Sequence, residues 1–80
     1  MDKEAVYIEL RKIMSSEFKL DPDLISLDKR LDEDLDLDSL DLVDLIMSME
    51  DYINKKIDPA LFKDALIIQD LVDLLHPLWK

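Results

Sequence analysis

Residues 33–41 read EDLDLDSLD, and the pattern that begins here sets the architecture of the chain. Asp38 can cap a helix through its side-chain oxygen, and Asp41 stands three residues on, in the reach-back position of a capping box. We therefore predict a helix that begins at Asp38 and runs to about Ile53. Asn54 follows, and Asn is the residue after Gly that best tolerates the left-handed conformation in which helices end.

Upstream of this helix, apolar residues at spacings of three and four predict an amphipathic helix over residues 2 to about 18. The apolar stripe consists of Val6, Leu10, Ile13, Met14 and Phe18. Between residues 19 and 37 the periodicity decays, and Asp21-Pro22 signals a turn. Loops of this length are uncommon in small domains unless they are functional. The sequence therefore predicts a long loop between the first and second helices.

Downstream, Asp58-Pro59 predicts a new helix start, with Asp as the cap and Pro at the first helical position. Residues 60–75 contain neither a breaker nor a clear cap, so one long helix and a short helix leading into another are both open. Pro77 ends the helical pattern, because the residue before a proline disfavours the helical region. No strand pattern is present, and we predict an all-α fold, a small bundle of three to four helices.

The composition restricts the classes of function. Eighty residues, of which 49% are hydrophobic, predict a single domain over residues 1–80. The formal net charge of -10 disfavours nucleic acid and anionic lipid surfaces as partners. The absence of Cys excludes disulfides and cysteine nucleophiles, and the absence of Gly excludes Gly-rich phosphate loops.

The N-terminal residues show no signal or transit peptide pattern. The longest purely apolar run has four residues, 65–68, far short of the ~20 that a membrane-spanning helix needs. We therefore expect no membrane insertion and a cytoplasmic, monomeric protein.

The predicted second helix has two apolar faces when its residues are placed at ~100° intervals. The core face comprises Leu42, Leu45, Ile46, Met49 and Ile53. The opposite face carries Leu40, Val43 and Met47, interleaved with Asp44 and Asp51 and flanked by Asp41 and Glu50. Isolated exposed apolar residues are common and need no function. Three of them along one line with an acidic rim nevertheless favour a docking surface for a partner with a basic groove.

Ser39 is predicted to occupy the first position of this helix. Its hydroxyl would project into solvent, and a phosphate attached to it would meet free backbone N–H groups and the positive end of the helix dipole. A serine at a helix start is usually ordinary helix-start chemistry. The position suits a phosphate ester, although it does not by itself require one.

The motif Asp38-Ser39-Leu40-Asp41 follows an acidic loop that contains several leucines, and it precedes residues 43–47. In this arrangement the chain resembles the acyl carrier protein family. The similarity extends without gaps from about residue 6 to 74. It implies that a phosphopantetheinyl transferase moves 4'-phosphopantetheine from coenzyme A to the Ser39 oxygen, and that Asp38 helps to position the magnesium used in that transfer. The terminal thiol would carry acyl intermediates as thioesters between enzymes of fatty-acid, lipid or polyketide-type synthesis.

The same resemblance implies two further sets of residues. Enzymes that transfer or modify acyl groups would dock their basic surfaces on Leu40, Asp41, Val43, Asp44, Met47, Glu50 and Asp51. The acyl cargo would be sheltered by Leu31, Met49, Ile57, Phe62, Ala65, Leu71 and Leu74. Ordinary core packing is the alternative explanation for this second set, and both roles are compatible.

Several residues depart from the common pattern of the family. Asp36 stands where the family usually has Gly, and Lys55 and Lys56 replace residues that are commonly acidic or neutral. Residues 60–62 are more apolar than usual, and Ile67 replaces a Thr-type cap of the last helix. These differences suggest a specialised carrier with a different set of partners or a different cargo.

Other functions fit the residues less well. Asp34, Asp36 and Asp38 resemble the start of an EF-hand loop, but its sixth position is Ser39 and its twelfth is Leu45, so no metal site is expected. The single histidine of the chain has no cysteine or basic partner nearby, and an enzyme is not expected. The alternatives left open are an acidic adaptor or inhibitor of a basic protein, and a carrier of aminoacyl or aryl groups.

Overall fold

The computed structural model describes residues 2–79, and within them the chain forms three α-helices. These are α1 (Lys3–Phe18), α2 (Ser39–Ile53) and α3 (Ile68–Leu75). Two short 3-10 turns, Pro22–Leu24 and Pro59–Phe62, lie in the connections. The all-α class, with three to four helices and a long loop after the first, is confirmed.

α1 is defined at both ends by its flanking residues. The Asp2 carboxylate accepts a hydrogen bond from the Ala5 backbone N–H at 2.8 Å and so caps the helix start. Lys19 ends the helix in the left-handed conformation, with φ of 55°. The predicted apolar stripe is buried at Val6, Leu10, Ile13 and Met14, and Phe18 is partly buried against the same core.

α2 begins and ends where the sequence predicted. Asp38 accepts a hydrogen bond from the Asp41 N–H at 2.9 Å, and Asp41 accepts one from the Asp38 N–H at 3.2 Å, which completes the capping box. At the other end Asn54 is left-handed, with φ of 63°, and donates its N–H to the Glu50 carbonyl at 2.8 Å. Both ends of α2 are therefore fixed by local chemistry.

The region after Pro59 is a short turn followed by a separate helix. Asp58 accepts a hydrogen bond from the Ala60 N–H at 3.0 Å and caps the 3-10 turn. The backbone at Ile67 is extended, with φ of -128° and ψ of 168°, so the helix cannot be continuous. The alternative of one long helix is therefore wrong, and α3 ends at Leu75, before Pro77.

The long loop docks on the start of α3 and replaces the missing side-chain cap. Ile67 at the cap position has no side-chain oxygen, which leaves the first N–H groups of α3 in need of acceptors. The Ile68 N–H donates to the Lys29 carbonyl at 3.1 Å, and the Gln69 N–H donates to the Leu27 carbonyl at 2.9 Å. Backbone oxygens of the loop thus stabilise the helix start and hold the loop against it.

The hydrophobic core joins the three helices to the loop and the second turn. Burial of each such side chain contributes about 1.5–3 kcal/mol, as an upper range for transfer from water. The buried residues are Val6, Leu10, Ile13, Met14, Ile25, Leu31, Leu35, Leu45, Ile46, Met49, Ile53, Ile57, Phe62, Ile68, Leu71, Val72, Leu75 and Trp79. Within residues 2–79, no helix combines the length and the apolar character that crossing a membrane requires.

Candidate functional site

Ser39 is the first residue of α2, and its side chain is exposed. The hydroxyl has no hydrogen-bond partner within residues 2–79. The cap of the helix is formed by the side chains of Asp38 and Asp41, so the Ser39 hydroxyl is not needed for it. The first backbone N–H groups of a helix lack intrahelical acceptors and favour an anion. The position therefore offers a solvent-facing nucleophilic oxygen beside groups that stabilise a phosphate.

Ser39 lines two depressions in the surface, one bordered by the long loop and one by the Pro59–Phe62 turn. The loop-side depression has a volume of about 230 Å³ and is lined by Leu31, Asp32, Leu37, Asp38, Ser39, Leu42, Lys63, Ala65 and Leu66. The turn-side depression has a volume of about 190 Å³ and is lined by Ser39, Leu42, Val43, Ile46, Pro59 and Lys63. A flexible group attached to Ser39 therefore has mainly apolar surface in either depression.

The charge around Ser39 is mostly negative. Asp38 is exposed, and four of the six residues that precede it, 32–37, are acidic. Next to them, the Arg30 guanidinium hydrogen-bonds to Asp32 at 3.1 Å and lowers the pKa of that carboxyl below its ordinary value of 3.8, with further help from the Glu33 backbone N–H. Asp32, which lines the loop-side depression, is therefore ionised at neutral pH.

Asp36, two residues before Asp38, is in the left-handed conformation, with φ of 56°. This conformation is unfavourable for residues with a Cβ atom and is the natural conformation of Gly. The structure therefore gives a physical reason for the Gly that the family resemblance led us to expect here. In this chain an Asp adopts that conformation.

The second apolar face of α2 is exposed, as its spacing predicted. Leu40 is 73% exposed, Met47 57% and Val43 37%. Asp44 and Asp51 are also exposed. Of the predicted core face, Leu45, Ile46, Met49 and Ile53 are buried, whereas Leu42 is only partly buried. We call Leu40, Val43, Asp44, Met47 and Asp51 the docking strip.

Two acidic residues predicted to belong to the docking surface make internal hydrogen bonds. Asp41 completes the capping box of α2. Glu50 accepts a hydrogen bond from the Ile57 backbone N–H at 2.9 Å. Both side chains are only partly exposed. The carboxylates of this face that are fully available to a partner are therefore Asp44 and Asp51.

The residues predicted to line an acyl pocket are buried or partly buried in the core. Met49, Phe62 and Leu71 have no exposed surface, and Leu31 and Ile57 are 6% exposed. Ala65 and Leu74 are partly buried. Leu31 and Ala65 reach the loop-side depression. Ala65 and Leu74 also line another depression, of about 380 Å³, beside Leu61 and Asp70.

Sequence reasoning missed Lys63, Leu66 and Pro59 as neighbours of Ser39. They come from the segment that follows α2, at least twenty residues further along the chain. No spacing rule connects them to Ser39, because only the return of the chain across α2 brings them there. Within residues 2–79, no group of three or more potential metal-ligating side chains lies together.

Comparison with known proteins identifies the class of protein to which this chain belongs. A family model described as "Phosphopantetheine attachment site" matches residues 9–75. The chain is therefore one of the small helical proteins that carry 4'-phosphopantetheine as their prosthetic group.

Curated relatives define the family more narrowly. The acyl carrier protein of Campylobacter concisus is 32% identical over 76 residues, covering 95% of this chain and 99% of the relative. Acyl carrier protein 2 of Ralstonia nicotianae is 30% identical over 78 residues, covering 98% and 96%. The acyl carrier protein of Onion yellows phytoplasma is 34% identical over 67 residues, covering 84% and 88%. The chain belongs to the acyl carrier protein family, and it carries acyl groups on phosphopantetheine between enzymes that act on them.

Proposed function

We propose that the Ser39 hydroxyl is the atom to which 4'-phosphopantetheine is attached, and that residues 1–80 act as one carrier domain. The observation that carries this proposal is the position of the hydroxyl. It is exposed, without a hydrogen-bond partner among residues 2–79, at the first residue of α2, which lines two depressions.

The residues around Ser39 fit the group. The capping box between Asp38 and Asp41 fixes the backbone of Ser39 at the helix start. The Asp41 N–H is used by this box, so the N–H groups of Ser39 and Leu40 are the ones that face an attached phosphate. Asp38 is an exposed residue whose Oδ2 accepts no hydrogen bond among residues 2–79, so it is suited to position the magnesium ion that the phosphopantetheinyl transferase uses.

The prosthetic group supplies a terminal thiol, which forms a thioester with the acyl cargo. This chain contains no Cys, so the thiol of the prosthetic group would have no competitor within the protein. The role of the polypeptide is to present that thiol to other enzymes and to shelter the cargo without catalysing a reaction itself. Leu31 and Ala65 lie at the border between the loop-side depression and the core, and they would meet the cargo first.

We further propose that the docking strip is the surface that the transferase and the acyl-handling enzymes bind. Its exposed apolar residues, Leu40 and Met47, would enter a partner groove, while Asp44 and Asp51 would pair with basic residues on its rim. Lys55 and Lys56 add positive charge just beyond the end of α2, next to Asp51 and Asn54. A partner would therefore need an acidic or neutral surface at that end, which supports a specialised member of the family.

The attachment site is tested by mass spectrometry of the intact protein. Apo protein is incubated with coenzyme A, magnesium and a broad-specificity phosphopantetheinyl transferase. We expect the wild type to gain the mass of one phosphopantetheine group, Ser39→Ala to gain none, and the control Ser16→Ala, altered at an exposed serine of α1, to behave as the wild type. A wild type that stays unmodified would instead favour the acidic adaptor.

The cytoplasmic location stays a prediction, which fractionation of the native cells would test. The aminoacyl and aryl carriers are separated from an acyl carrier by the group found on the thiol. Purification of the loaded protein from its host, followed by release and identification of the thioester-bound group, makes that distinction. An acyl chain is the expected result.

A further inference from the structure

Lys63 lies opposite the start of α2, at the end of the Pro59–Phe62 turn. Lys63 lines both of the depressions that Ser39 lines. Leu42 also lines both. Lys63 and Ser39 therefore border the same two spaces at the surface. Its side chain is exposed and long enough to move between the two.

The backbone of Lys63 is held firmly in this place. The preceding residue, Phe62, has no exposed surface and anchors the turn in the core. The Lys63 N–H donates to the Ala60 carbonyl at 3.4 Å, and Asp58 caps the same turn. The turn therefore presents a mobile ammonium group from a fixed point next to α2.

The charges around Ser39 make this ammonium group distinctive. Among the residues that line the two depressions, Lys63 is the one cation, while Asp32 and Asp38 contribute negative charge. Within residues 2–79, Lys63 belongs to none of the ion pairs, which use Lys3, Arg11, Lys12 and Arg30. Its charge is thus available to a ligand.

Attachment of a phosphodiester to Ser39 would add a negative charge to a chain whose net charge is already -10. The added charge would lie close to Asp38 and Asp41, and like charges at such separations raise the free energy of the folded state. The helix N-terminus offsets part of this repulsion. A lysine that lines the same two depressions would offset more of it.

We propose that Lys63 binds the phosphodiester of the prosthetic group, and that this ion pair holds the first part of the arm in the cleft between α2 and the Pro59–Phe62 turn. The proposal rests on the proposed attachment at Ser39. Lys63 acts as a positioning residue: it sets the direction in which the arm leaves the protein, and it takes no part in the transfer of acyl groups.

The first test compares the melting temperatures of apo and holo protein for the wild type, Lys63→Gln and Lys55→Gln. Lys55 is an exposed lysine that lines a different depression, so its variant controls for the change in net charge. In low salt, we expect modification to lower the melting temperature of Lys63→Gln more than that of the other two proteins. The extra loss should be roughly 2–4 °C, which is the effect of an exposed ion pair in a domain of this size.

The second test measures the 31P resonance of the holo proteins and its dependence on salt. We expect Lys63→Gln to shift the resonance, Lys63→Arg to restore most of the wild-type value, and Lys55→Gln to leave it unchanged. The differences should disappear in about 1 M NaCl, where the screening length is only about 3 Å.

The outcomes separate the two proposals. One outcome would overturn the role of Lys63 alone. The wild type would gain the mass through Ser39, while Lys63→Gln and Lys55→Gln would show the same change in melting temperature between apo and holo protein and the same 31P resonance. Lys63 would then not bind the phosphodiester, and the attachment site would stand. If the wild type gains no mass, or Ser39→Ala still gains it, both proposals are overturned.

Discussion

The Glu50 carboxylate accepts a hydrogen bond from the backbone N–H of Ile57, with 2.9 Å between Oε2 and N. The two residues lie on either side of the turn that follows α2, whose end is set by the left-handed Asn54. The bond ties the segment after the turn to the helix and helps to bury Ile57. Glu50 thus stabilises the fold, although its position on α2 favoured a role in docking.

Glu50→Ala is expected to destabilise the protein by about 1–2 kcal/mol, because it leaves the partly buried Ile57 N–H without its charged acceptor. Asp51→Ala is the matched control, since Asp51 is exposed and adjacent in sequence, and we expect a change within about 0.5 kcal/mol. Urea unfolding followed by circular dichroism measures both. Equal destabilisation by the two variants would contradict a structural role for Glu50.

Asp36→Gly is expected to be more stable than Asp36→Ala by about 1 kcal/mol. Both variants remove the same charge, but only Gly adopts a φ of 56° without steric cost from a Cβ atom. Thermal unfolding of the pair isolates this backbone effect from the loss of a negative charge. A more stable Ala variant would show that the turn does not keep its left-handed residue in solution.

Asp38 caps α2, and Asn and Ala substitutions separate this role from its proposed role in positioning magnesium. Asp38→Ala should cost about 1 kcal/mol, since it removes the cap of α2, whereas Asp38→Asn should keep nearly full stability because Asn is an equally good N-cap. Modification by the transferase should slow in both variants, because both lose the carboxylate expected to position magnesium. Normal modification of Asp38→Asn would leave Asp38 with a capping role alone.

The double variant Asp44→Lys with Met47→Ala should keep the stability of the wild type to within about 0.5 kcal/mol, because neither side chain is buried. It should raise the KM of the transferase for the carrier, since it reverses one charge and removes one apolar contact of the docking strip. The matched control is Glu4→Lys with Ile8→Ala, which likewise reverses one charge and truncates one apolar side chain at exposed positions of α1. A loss of helical signal in the first variant would show that its residues face the core.

Asp73→Asn tests an ion pair between α1 and α3. Lys3 lies 2.9 Å from the Asp73 carboxylate and lowers its pKa below the ordinary value of 3.8, with help from a hydrogen bond donated by Gln69. A lowered pKa in the folded state means that the stabilisation is present above about pH 4 and is lost as the pH falls through the folded value. The wild type should therefore melt above Asp73→Asn at neutral pH, and the two should converge near pH 2. A constant difference across this range would contradict the contribution of the charge.

The ends of α2 were predictable because local chemistry determines them. Asp38, Asp41 and Asn54 act on backbone groups within four residues of themselves, and such effects can be derived from spacing alone. The exposure of Leu40 and Met47 was predictable for the same reason, since a helix with two apolar faces buries only one against a small core.

The start of α3 was not predictable, because the acceptors that stabilise it come from a distant segment. Its first N–H groups are bound by carbonyls of Lys29 and Leu27, about forty residues earlier in the chain. Asp70 adds a local contribution, because its carboxylate accepts hydrogen bonds from the Leu66 and Ile67 N–H groups, but it does not specify the loop carbonyls. The choice between one helix and two therefore depended on how the loop packs.

The sequence by itself determined the helical class, the caps of α2, the position of Ser39 at a helix start and the family, because each depends on residues close together in the chain. Only the tertiary structure decided that Glu50 supports the turn after α2, that Asp36 is left-handed and that Lys63 lines the same two depressions as Ser39. These arrangements depend on contacts formed when the chain folds back on itself, and the order of residues along the chain does not specify them locally.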